Sequence, residues 1–181
     1  GVLAVGNAGL RLGNASIAAG GFCEVKVRVA VTAPGSYLNT TEAVTSTNGG
    51  TGTTASGTLT VYAPPVLSKQ FSPAEVGVNA PSRLTLSLFN GNANFVINGI
   101  VFSDVFPTGL LLAPIPDPVL TCTSGSSITV VQRAGTPTGY DFTAGSLAAN
   151  GVCTYSVNVV AGAIGTYVNT TTTVTTSNAG S

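Results

Sequence analysis

Lys69, Asp104 and Asn169 place an amine, a carboxyl and a carboxamide in a stretch of chain, residues 63–181, that holds no other lysine. Brought together in an apolar site, three such groups have a defined chemistry. Desolvation frees the amine of its proton, a protonated carboxyl polarises the amide, and an isopeptide bond joins the two side chains. Strand parity puts Lys69 on the face of Phe71, Asp104 on the face of Phe102 and Asn169 on the face of Tyr167, so each polar group gains an aromatic neighbour. The same residues also suit a Lys69–Asp104 salt bridge at a sheet edge, with Asn169 bonding a turn backbone. Both outcomes are open at this level.

Other chemistries find little support. Without His, the commonest metal ligand and the usual general base near neutral pH are both missing. The cysteines Cys23, Cys122 and Cys153 stand singly, with no CxxC pair. Glu75, Asp104, Asp117 and Asp141 do not fall at the spacing of a calcium loop, so no metal, cofactor or catalytic residue is expected. Lys plus Arg and Asp plus Glu both number 6, and only 7% of residues are charged, so there is no basic surface for nucleic acid. The turn Gly91–Asn94 has no phosphate-binding context.

The elements that would position these groups are strands. Hydrophobic residues make up 44% of the 181, with Val, Ile and Thr prominent, which sets the chain apart from disordered sequences. Alternating Val and Thr give strands apolar on one face and hydroxyl-bearing on the other. In Phe22–Val31, Cys23, Val25, Val27, Val29 and Val31 share a face and Glu24, Lys26 and Arg28 take the other; Tyr37–Thr47 follows as its partner strand. Asn48–Gly52 makes a Gly-rich bend, and 57–62 returns as a short strand. Further strands are expected at about 66–71, 82–90, 95–105, 108–112, 118–123, 127–133, 139–143, 152–161 and 166–176, with Leu84, Leu86 and Leu88 inward. Ser146–Ala149 is at most one helical turn. Such a chain is all-β and folds as a sandwich. No apolar run reaches membrane-spanning length, so no membrane insertion is expected in this segment.

The strand set is written twice. Sliding the chain by 130 positions superposes Cys23 on Cys153, Gly35 on Gly165, Tyr37 on Tyr167, Asn39 on Asn169 and Asn48 on Asn178, and 16 of the 39 positions from Leu10 to Asn48 match their partners. That period is large enough for each unit to hold its own core. Ala63, Pro64 and Pro65 form a stiff boundary. The organisation expected is therefore 1–62, the C-terminal part of one repeat, and 63–181, a complete repeat, in an internal excerpt or mature product of a longer protein.

Lys69–Pro73, Leu84–Asn90, Phe102–Leu110 and Tyr167–Thr171 resemble the motifs of the Ig-like conserved-repeat domains of very large bacterial surface proteins, a domain of unknown function. The resemblance implies tandem Ig-like antiparallel sandwiches at an extracellular cell surface and no enzymatic activity. Partners would be neighbouring repeats or copies of the chain; the alternative is an adhesin domain binding a surface glycan or host protein, with Tyr140 and Phe106 the aromatics available for exposure. In that secreted context Cys122 and Cys153 suit a disulfide, and Cys23 one with a cysteine upstream of the chain start; buried free thiols are the other option. Bacterial adhesin and pilin domains also cross-link a first-strand lysine to a last-strand asparagine. Asn14, Asn39 and Asn169 each open an N-x-S/T sequon, a candidate glycan site in an archaeal or eukaryotic source.

Overall fold

A computed structural model describes residues 9–135 and 138–181 and divides the chain into two compact units, Gly1–Val31 and Thr32–Ser181. In the first, the expected strand Phe22–Val31 does not form: its described residues are irregular and solvent-exposed apart from half-buried Val31, and a turn closes at Gly21 N–H to Ala18 C=O, 2.9 Å. Periodicity alone cannot make a strand, because its backbone groups need a ladder. The aligned segment in the second copy has two flanking partners, described below, and residues 9–31 contain a counterpart of neither.

The second unit is all-β and antiparallel throughout its ladders. It opens with β1 (Gly35–Thr40), β2 (Thr45–Ser46), β3 (Gly50–Thr51) and β4 (Ser56–Val61). Here β1 pairs with β4, Tyr37 opposite Leu59, so the strand expected to pair with 22–31 has a partner further along the chain. The Gly-rich bend is the tip between β2 and β3.

The sandwich follows. One sheet runs β5 (Val66–Ser72), β6 (Ser82–Phe89), β12 (Val152–Ala161), with β8 (Leu110–Leu112) and β9 (Val119–Cys122) both on the far edge of β12. The other runs β10 (Ser127–Arg133), β11 (Gly139–Leu147), β7 (Ile97–Val105). The C-terminal segment, expected as a strand over 166–176, instead touches β7 at isolated bridges, Val101 to Thr175 and Asp104 to Thr171. Backbone bonds such as the Ser177 N–H to Asn98 C=O, 2.9 Å, are supplemented by side chains: the Ser103 N–H donates to Thr172 Oγ1 at 2.8 Å and the Asn98 N–H to Asn178 Oδ1 at 2.9 Å.

Alternation builds the core. Leu84, Leu86 and Leu88 of β6 and Cys153, Tyr155, Val157 and Val159 of β12 face Ile97, Ile100 and Phe102 of β7 and Tyr140, Phe142 and Leu147 of β11. Each large apolar side chain so buried contributes about 1.5–3 kcal/mol. Phe102 stacks on Phe142 at 4.3 Å, and Tyr155 meets Tyr140 and Phe142 edge-on. Tyr140 and Phe106, expected as exposed aromatics, are 4% and 1% exposed. Tyr140 shares parity with Phe142 on β11, which runs past the expected end to Leu147 through irregular register near Gly145.

Candidate functional site

Two edges of the sandwich meet where β5, the outer strand of one sheet, faces β7 and the C-terminal segment of the other. Lys69 points inward from β5 on the face of Leu67 and Phe71, and its Nζ donates to Asp104 Oδ1 at 2.6 Å. Asp104 lies near the end of β7 with 0% exposure; the Lys69 side chain keeps 14%. Asn169 Nδ2 donates to Asp104 Oδ2 at 3.1 Å, and Lys69 Nζ also reaches the Asn169 backbone C=O at 3.4 Å. Asp104 therefore bridges the other two side chains, with one carboxylate oxygen on the amine and the other on the amide. Asn169 Oδ1 is buried and has no hydrogen-bond partner. The expected Lys69–Asp104 salt bridge is present and joins the edge strands of the two sheets, but it is buried, and the Asn169 side chain bonds Asp104 and not a turn backbone.

The surrounding backbone enforces this meeting. Tyr167 packs its ring on Gly109, whose φ of +90° and 2.9 Å clearance leave no room for a side chain, and its hydroxyl donates to Ala163 C=O at 2.9 Å. That hydroxyl-to-carbonyl return over four residues pins the segment two residues before Asn169, as a tyrosine corner does. Tyr37 makes the same return to Ala33 at 2.8 Å.

The second constellation is the Cys122–Cys153 disulfide, which ties directly opposed residues of β9 and β12. It encloses a sequence separation of 31 residues, for which chain entropy gives roughly 3–4 kcal/mol. Cys23 is a free, exposed thiol. Of the sequons, Asn14 and Asn39 are exposed, while Asn169 is committed to Asp104, so a glycan there would have to break the cluster.

A third arrangement was not visible in the sequence. Asn90 is fully buried, and its Nδ2 donates to the C=O groups of Phe95, Leu147 and Ala148 at 2.7, 3.2 and 2.9 Å. Its Oδ1 accepts from the N–H and Nδ2 of Asn92. Asn92 in turn grips the joint: its Oδ1 accepts the Ala63 N–H at 3.0 Å and its Nδ2 donates to Ala63 C=O at 2.9 Å. Tyr62 stacks flat on Phe95 at 3.6 Å. An isolated Gly-Asn-Ala-Asn run reads as a turn; only the fold reveals that Asn92 of that run, braced by Asn90, holds Ala63, the residue before Pro64 and Pro65.

The chain matches the family model of a domain of unknown function (DUF7933) over residues 2–61 and 65–181. It belongs to that family. The two matched segments flank residues 62–64, where the joint lies. No curated protein matches the chain. This DUF7933 chain also has a groove of about 690 Å³ beside the cluster, walled by Phe71, Val76, Val78, Leu110, Ile164 and Tyr167.

Proposed function

We propose that the chain is a non-catalytic structural module of an extracellular surface stalk, fibre or self-assembling filament, built from Ig-like sandwiches in tandem. The observation that carries this is the joint. A linker of two prolines is already stiff, and here the sandwich grips the two residues before it, Ala63 with two hydrogen bonds and Tyr62 with a stacked ring. A connection clamped in this way holds one direction from β4 into β5, as a rod requires and a flexible tether does not. Support also comes from the 130-residue repeat, from the Tyr37 and Tyr167 turns that share one geometry, and from a disulfide suited to an oxidising, extracellular compartment. Near-zero net charge and hydroxyl-rich faces lower repulsion between neighbouring copies, which are its partners.

The competing assignment is an adhesin domain that takes a glycan or host protein. Burial of Tyr140 and Phe106 removes its aromatic contact site and leaves the Ile164 groove as the seat. Negative-stain electron microscopy of the purified native material separates them. Straight rods or fibres with a regular axial repeat are expected; compact globular particles that bind ligand through the groove would overturn the proposal.

A further inference from the structure

We propose that Lys69 and Asn169 become joined by an intramolecular isopeptide bond, with Asp104 as the group that promotes it. The inference rests on the cluster and stands whether or not the chain serves in a stalk. Nucleophile, acid and acceptor are already assembled: Nζ lies 2.6 Å from Asp104 Oδ1, and the Asn169 amide is on Oδ2 at 3.1 Å. The carboxyl is wholly enclosed, and Phe71, Phe102, Phe106 and Tyr167, each two residues along the chain from a member of the cluster, belong to the hydrophobic core or pack against it.

The unpartnered oxygen identifies the reacting form. An ionised Asp104 only accepts, so it binds the amide's NH₂ end and leaves Asn169 Oδ1 buried with nothing to bond, a costly state. Moving the proton from Nζ to the carboxyl gives a neutral amine and a neutral acid with no change in net charge, and burial of the carboxyl favours uncharged partners. The acid now has an O–H donor. A half turn of the amide about Cβ–Cγ presents Oδ1 to it, which satisfies the oxygen and polarises the carbonyl.

The amine lone pair then adds to Cγ of Asn169. One proton passes from Nζ by way of the carboxyl to Nδ2, the Cγ–Nδ2 bond breaks, and ammonia leaves. An Nζ–Cγ amide remains and Asp104 ends as the neutral acid it was before the attack. No oxidant, reductant or further reactant enters. The product links the first strand of the sandwich to its last segment across the seam between the two sheets.

Intact mass spectrometry of the folded, disulfide-reduced chain tests this, followed by protease mapping. The wild-type protein is expected to be one ammonia lighter than its sequence, with a branched peptide joining the Lys69 and Asn169 segments. Lys69→Arg and Asp104→Asn are expected at full mass. A wild-type chain at full mass overturns the proposal, as does an ammonia loss that maps elsewhere; both results are read on the wild-type chain, so neither depends on a variant folding.

Discussion

Burial sets the chemistry of individual side chains here, and Tyr155 shows it most simply. Its phenol sits in the core between Tyr140 and Phe142, and burial pushes its ionisation above the ordinary 10.0, with the Tyr140 hydroxyl acting in the same direction. A group whose folded pKa is raised contributes stability that is complete below its unfolded value and is lost as pH climbs past it. The unfolding midpoint of the domain should therefore fall as pH rises above about 10, and Tyr155→Phe should flatten that fall in a denaturant titration. An equally steep fall in the variant would assign the effect elsewhere. Asp141 has the opposite sign: the Ser103 hydroxyl and then Arg133 hold its carboxyl below 3.8. Its contribution is present above that value and fades in acid, and it is small because water reaches the carboxylate. Lys69, Asp104 and Asn169 were legible as residues because parity assigns each a face before any fold is known. The Lys69–Asp104 pair was also legible, but parity has no power over which inward groups touch, so its burial and the Asp104–Asn169 bond emerge only from the packing of the two sheets.

At the scale of elements, the sequence pattern located β5, β6, β10 and β12 within a residue or so of their observed limits, and in β5 and β6 burial alternates residue by residue along the strand. It failed where a strand depends on a partner. Phe22–Val31 alternates as well as β12 does, yet β12 lies between β6 and the pair β8 and β9, and 9–31 holds no equivalents. The C-terminal Thr run failed differently: it meets β7 only at isolated bridges, and the Thr172 hydroxyl accepts the Ser103 N–H that a regular ladder would have used. The Asn90 and Asn92 clamp had no sequence signal beyond a turn. Its energetic role makes a local prediction: Asn92→Ala removes both hydrogen bonds to Ala63 while leaving the β6–β12 ladder intact. Hydrogen exchange should show protection of the Ala63 amide falling roughly fivefold, as for a bond of about 1 kcal/mol, with the Leu86 amide unchanged. An Ala63 amide that exchanges freely in the wild-type chain would show that the joint is not held.

For the molecule as a whole, the central claim is mechanical: a sandwich whose strands and covalent ties resist extension. Pulling separates β5 from the C-terminal segment, and the Lys69 cluster lies on that line. The most direct measurement is single-molecule stretching of the chain by its ends, with and without reductant. We predict cooperative unfolding at high force and a released length short of the full contour. With the disulfide as the only tie, the shortfall matches its separation of 31 residues and vanishes on reduction. With the isopeptide formed, it matches the separation of 100 residues between Lys69 and Asn169 and is indifferent to reductant. Yielding at low force to the full contour length, under oxidising conditions, would contradict the account.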